Sequence, residues 1–121
     1  MSRDYKLFLD DIRLSCEKIV RYTTGLTFKQ LLEDEKTFDA VLRNLIVIGE
    51  GVKHLPLEVQ QRHQQVEWRE IAGFRDIAVH EYFGIDEEIL WDIVQNEVPS
   101  LLAKLTEIIA HEERDCHPSN K

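Results

Sequence analysis

The 121-residue chain predicts an all-α domain, an up-and-down bundle of four to six helices. Three observations carry that prediction. Apolar residues recur at steps of three and four over long stretches, the spacing that lines one face of a helix. No segment alternates apolar and polar residues for long, and no hairpin dipeptide interrupts the chain. Only five Gly and three Pro are present, so connections are short and successive helices turn back on one another as antiparallel neighbours.

Ser2 is placed to cap a first helix whose stripe is Tyr5, Phe8, Ile12, Cys16 and Ile19, and Thr23-Thr24-Gly25 ends it. A short turn from Thr27 to Leu32 follows. Asp34 or Thr37 opens a long helix marked by Phe38, Val41, Leu42, Leu45, Ile48, Val52 and Leu55. Leu45 to Ile48 is apolar on every side, as in a helix at mid-bundle or at an interface. Gly49 and Gly51 lie inside this helix, each about 1 kcal/mol less favourable there than Ala, so close approach of another backbone is expected. Glu50 and Lys53 share one polar edge.

Pro56 suits the first position of a short polar helix from Leu57 to His63. Glu67 then starts a central element carrying Trp68, Ile71, Phe74, Ile77, Ala78 and Val79, and Gly84 stops it. Asp86 is placed to cap the last helix, with Ile85 and Leu90 as a hydrophobic staple. Its stripe continues to Ile108, and Pro99 inside it is expected to kink it. His111 to Lys121 reads as polar and fraying. One domain over residues 1–115 with a tail at 116–121 is the resulting expectation.

Composition narrows the functional classes. With 15 Lys and Arg against 23 Asp and Glu, the net charge of −8 argues against broad duplex binding, which requires many phosphate neutralisations. A small anion site or a basic protein partner remains compatible with it. No apolar run suits a membrane span, and the N-terminus shows no signal-peptide pattern, so a cytoplasmic protein is expected. In that compartment Cys16 and Cys116 read as a buried thiol and a tail thiol. His54, His63, His80, His111 and His117 show no metal-ligand spacing, and no phosphate loop or nucleophile turn occurs. No cofactor and no metal are expected.

The chemistry concentrates in Ile71-Ala72-Gly73-Phe74-Arg75-Asp76-Ile77-Ala78-Val79-His80-Glu81-Tyr82-Phe83-Gly84. Here a permanent cation, a titratable imidazole and a phenol fall close together among apolar residues. His can accept and return a proton near neutral pH, and Arg offers a planar fork matched to phosphate oxygens. RNA cleavage through the 2′-OH needs those two services and no metal. Composition alone predicts about 0.3 chance Arg–His pairs at this spacing, but about 0.01 once Tyr must follow two residues later. The plainer alternative is an Arg75–Asp76 surface pair beside a His near a helix C-terminus. Geometry adds a condition: on a straight helix five residues advance about 7.5 Å and turn about 140°. Arg75 and Tyr82 then share a face while His80 points elsewhere. Loosening near Val79, a curled Arg75 side chain, or a two-fold dimer would each reconcile this.

Three segments together resemble the HepT-like HEPN family: Ile48-Gly49-Glu50 with Lys53 and Leu55-Pro56; Trp68-Arg69-Glu70-Ile71-Ala72-Gly73-Phe74-Arg75-Asp76; and His80-Glu81-Tyr82-Phe83-Gly84-Ile85-Asp86. The likeness runs from about Asp4 to Ala110, and Arg75, His80 and Tyr82 match the family's RX4HXY motif. The resemblance implies an all-helical homodimer acting as the toxin of a toxin–antitoxin pair. Its activity would be metal-independent endoribonuclease cleavage of RNA, tRNA or mRNA, with Arg75 and His80 catalytic and Asp76 supporting them. It also implies silencing by a cognate minimal nucleotidyltransferase, MntA-like, that transfers AMP from ATP to Tyr82. Glu81 departs from the pattern, since relatives commonly carry a small residue, often Gly, between His and Tyr. An extra carboxylate beside the cleft is expected to act on His80 and to repel RNA phosphate. The alternative reading is a non-catalytic helical dimer that binds a nucleotidyltransferase partner or a nucleotide.

Overall fold

A computed structural model describes residues 4–84 and 87–115. Within them the chain is helical throughout, with no strand, in the order α1 (Tyr5–Thr23), α2 (Phe28–Glu33), α3 (Glu35–Lys53), α4 (Leu57–Arg62), α5 (Trp68–Ala72), α6 (Phe74–Tyr82), α7 (Glu87–Asp92), a π-helical turn (Ile93–Glu97) and α8 (Val98–Asp115). The expected all-α bundle is what forms. Six helical units result if α5–α6 is taken as one broken element and α7 to α8 as one irregular helix.

Capping residues set the boundaries. Asp4 caps α1 by accepting from the Lys6 N–H at 2.9 Å, whereas the expected cap, Ser2, lies outside the described residues. Gly25, at φ 85°, turns the chain after Thr24 as the sequence suggests. The expected turn at Thr27 is a full helix with a reciprocal capping box between Thr27 and Gln30. Asp34 opens α3 by accepting from both the N–H and the hydroxyl of Thr37. Pro56 precedes α4 as its N-cap rather than occupying its first turn. The proposed staple and cap at Ile85 and Asp86 fall outside the described residues.

Pro99 produces a wider turn one step upstream. Its ring crowds the Gln95 carbonyl and offers it no N–H. The preceding turn takes the π form, with the Val98 N–H reaching back five residues to the Ile93 carbonyl. The end of α8 also differs from expectation. His111 to Asp115 is helical, and Glu112 is buried.

The core is one cluster. Leu9, Ile12, Cys16 and Ile19 of α1 meet Val41, Leu45, Ile48 and Val52 of α3, with Phe74 and Ala78 behind them and Leu90 to Ile108 closing the far side. Burial pushes the Cys16 thiol up to about 12, with Glu17 adding to the shift, so it is inert at neutral pH. Helix α3 lies between α1 and α6, and α1 also packs on α8.

The two α3 glycines mark those seams. A Cβ on Gly51 would sit 2.8 Å from Ile12 Cγ1 of α1, which places the C-terminal half of α3 against the N-terminal half of α1. A Cβ on Gly49 would sit 2.7 Å from the Arg75 nitrogen and 2.9 Å from the Ala72 carbonyl oxygen. Close backbone approach is what Gly49 permits. Among the described residues no helix is long and apolar enough to cross a membrane.

Candidate functional site

The central element breaks at Gly73, whose N–H is shared by the carbonyls of Arg69 and Glu70. Helix α6 restarts there, with the Ile77 N–H bonded to the Gly73 carbonyl at 3.1 Å, and runs regularly through Tyr82. Loosening near Val79, one of the three ways the sequence left to reconcile Arg75 with His80, does not occur; the break lies before Arg75, at Gly73. Both motif residues stand on the same regular helix, about 140° apart around it.

Helix α6 turns Phe74, Ala78 and Glu81 inward. Arg75, Asp76, Val79, His80 and Tyr82 face outward, and Tyr82 is 74% exposed. Arg75 does not curl toward His80. Its Nε lies 3.2 Å from Glu50 Oε2 of α3, and its Nη1 lies 3.4 Å from Asp76 Oδ1. Glu50 is also 3.6 Å from Lys53, the pairing the sequence suggests. His80 makes no side-chain hydrogen bond or ion pair within the described residues, and its imidazole is open to solvent. The Tyr82 ring stands edge-on to Phe83, with centroids 5.2 Å apart.

Two residues behind this arrangement meet partners in α5 and α6 that local sequence reading does not supply. Glu50 holds Arg75 across helices, and Gly49 lets α6 sit low enough on α3 for that contact. Glu81 needs a correction. It is 1% exposed, its carboxylate turned into the core rather than beside the cleft, because its position on α6 coincides with that of Phe74 and Ala78.

The family model for "Ribonuclease HepT-like" proteins matches residues 12–108. The chain belongs to the HepT-like ribonuclease family. A protein of Methanocaldococcus jannaschii named "Putative RNase MJ0127" is 45% identical over 107 residues, covering 88% of each chain. A Thermococcus cleftensis protein named "Probable ribonuclease HepT" is 39% identical over 108 residues, 89% of this chain and 98% of that one. A Caldanaerobacter subterraneus protein named "Putative RNase TTE0752" is 38% identical over 106 residues, 88% of this chain and 95% of its own length. No solved structure gives a significant match.

This HepT-like chain carries a second polar cluster, at the end of the bundle where α1 begins and α8 finishes. Glu112 is 1% exposed and accepts from Tyr5 Oη at 2.6 Å, from Arg62 Nε at 3.1 Å and from Arg62 Nη2 at 2.8 Å. His63 Nε2 lies 2.6 Å from the same carboxylate and must carry a proton to bond it. The indole N–H of Trp68 fixes the His63 carbonyl at 2.9 Å. Burial alone would raise the Glu112 pKa; bonds from Arg62, Tyr5 and His63 outweigh it and hold the carboxyl at about 2.

His63, His111 and Glu112 bring ligand-type atoms within 4.8 Å of one another, a grouping that sequence spacing hides. Arg62 and Tyr5 donate into that carboxylate, so its oxygens already serve protein donors. The cluster reads as a clamp between helix ends.

Proposed function

We propose that this HepT-like chain is the toxin of a toxin–antitoxin pair and a metal-independent endoribonuclease. The observation that carries the reading is the outward display of Arg75, His80 and Tyr82 on one regular helix of a HepT-like ribonuclease family member. In the proposed reaction His80 takes the proton of a ribose 2′-OH. The freed oxygen attacks the adjacent phosphorus, and the bond to the 5′-oxygen breaks. Arg75 stabilises the charge that builds on the phosphoryl oxygens. The products are a 2′,3′-cyclic phosphate and a 5′-hydroxyl, the leaving oxygen taking a proton. Asp76 helps to hold the guanidinium in place.

Tyr82 is the proposed switch. Its exposed phenol attacks the α-phosphorus of ATP held by a minimal nucleotidyltransferase partner; pyrophosphate leaves and the phenol proton goes to solvent. The AMP phosphate added on the face that Tyr82 shares with Arg75 then competes with RNA for that cation. A homodimer completes the reading: a two-fold axis near α6 sets His80 of one copy beside Arg75 of the other. The partly exposed Val79 supplies apolar surface for it. The assembly acts in the cytoplasm.

The angle between Arg75 and His80 favours a second reading, a non-catalytic dimer that docks a nucleotidyltransferase. One experiment separates the two. RNA cleavage is followed for the purified chain and for Arg75→Ala and His80→Ala, with intact mass taken after treatment with the partner and ATP. Loss of cleavage in both variants, with a cyclic phosphate product, supports the ribonuclease. AMP addition without any cleavage supports the docking protein, and AMP addition that persists in Tyr82→Phe refutes the role of Tyr82.

A further inference from the structure

A groove of about 260 Å³ runs between the outer edges of α1 and α3, apart from the motif residues. Its walls carry Lys18 and Tyr22 from α1 and Arg43 and Asn44 from α3, with Leu14 apolar between them and Asp11 the one acidic residue lining it. Lys18 and Arg43 are exposed, and neither makes an ion pair within the described residues. Four cations elsewhere are paired: Arg13 with Asp10 and Glu17, Arg62 with Glu112, and Lys53 and Arg75 with Glu50. In a chain of net charge −8, Lys18 and Arg43 bring two unpaired cations to the walls of one groove.

The groove also holds what a base and a sugar need. Tyr22 is about a third exposed, and the Arg21 guanidinium lies 5.3 Å from its ring centroid. Asn44 is fixed by its Nδ2 bond to the Ala40 carbonyl at 2.8 Å, which holds the amide in one orientation in the groove wall. Cations following a backbone, an aromatic ring for stacking and a fixed amide are the elements of single-strand recognition.

Position links the groove to the motif. Arg43 and Glu50 are seven residues apart on α3, so they stand on one face about 10.5 Å from each other. Glu50 is the residue that holds Arg75. A strand with its scissile phosphate at Arg75 passes along that face toward Arg43 and then Lys18.

We infer that the α1–α3 groove binds the single-stranded RNA segment flanking the cleaved phosphate, with Lys18 and Arg43 on phosphates and Tyr22 against a base. This rests on the ribonuclease reading above and names the track its substrate follows.

The test measures binding of a fluorescent single-stranded RNA to the full-length chain, silenced by His80→Ala, across a salt series. Adding Lys18→Ala and Arg43→Ala together weakens binding about tenfold or more and makes the salt slope shallower by about one to two. Lys29→Ala, an exposed cation away from the groove, leaves both unchanged. Unaltered affinity and slope in the groove variant, with wild-type cleavage intact, overturn the groove and leave the ribonuclease standing. A wild type that neither binds nor cleaves RNA overturns both. Sedimentation of the same variants covers a further outcome: a groove variant that shifts oligomeric state instead of salt slope assigns the groove to a second copy and overturns the inference.

Discussion

Replacing Glu112 by Gln tests how much of the fold rests on one buried carboxylate. Glu112 ties the first turn of α1, through Tyr5, and the end of α4, through Arg62 and His63, to the last turns of α8. Gln keeps the shape but turns an NH2 toward groups that are themselves donors. Removing one partner of a buried ion pair typically costs about 3–5 kcal/mol. Arg62 is 40% exposed and can rehydrate, which favours the lower end.

The carboxyl's titration gives a second route to the same figure. Its pKa falls from 4.5 to about 2, a drop worth about 3 kcal/mol. Because the folded value lies below the unfolded one, the stabilisation is complete above about pH 5 and is lost as pH falls through about 2. Urea unfolding at pH 7 should therefore show Glu112→Gln less stable by about 3 kcal/mol, a midpoint lower by about 1–2 M. Repeated toward pH 2, the gap should close, because wild type loses what the variant never had. A difference below about 0.5 kcal/mol at pH 7, or one that persists unchanged at pH 2, refutes the reasoning.

Two further predictions concern the α3–α6 seam. Gly49→Ala places a methyl against the Arg75 nitrogen and the Ala72 carbonyl, backbone atoms that cannot swing aside; a loss of about 1–3 kcal/mol in urea unfolding is expected, with RNA cleavage falling further than stability explains. Glu50→Gln should leave stability within about 0.5 kcal/mol, as both partners are half-exposed. It should lower kcat by loosening Arg75 and lower KM by removing a carboxylate that competes with RNA phosphate; unchanged kinetics would show that Glu50 does not position Arg75.

The helices were legible because amphipathic stripes and caps are local. Thr23-Thr24-Gly25, Asp34 and the Leu90–Ile108 stripe each decide their own neighbourhood, and the structure follows them. Gly49 was legible in kind, as a close approach, though not in partner. What stayed hidden depends on contacts between distant residues. Nothing local in His111-Glu112-Glu113 distinguishes a buried clamp from a fraying end, because Arg62 and His63 arrive from about 50 positions away. The inward turn of Glu81 was available in principle, since helical phase places it with Phe74 and Ala78. The expectation that a carboxylate faces water overrode the phase. The break at Gly73 was masked by apolar residues that continue on both sides of it.

The exposure of the motif bears on how the proposed chemistry can work. Preorganised charges stabilise a transition state best where water is excluded, since bulk solvent screens them. On a single copy Arg75 is nearly half exposed and His80 and Tyr82 are open, so the site is poor in that respect. The same exposure suits Tyr82 as an acceptor, because a transferase can reach the phenol without unfolding α6. A site that is open for modification and closed for cleavage requires a removable or shared cover. The pairing of two copies across α6 proposed above would supply one: it would bring His80 of one copy to Arg75 of the other, which helix geometry forbids within a copy, and narrow the cleft around the phosphate. The core behind α6, with Phe74 and Ala78 buried and Gly49 packed against the Arg75 backbone, gives that proposed surface a packed backing.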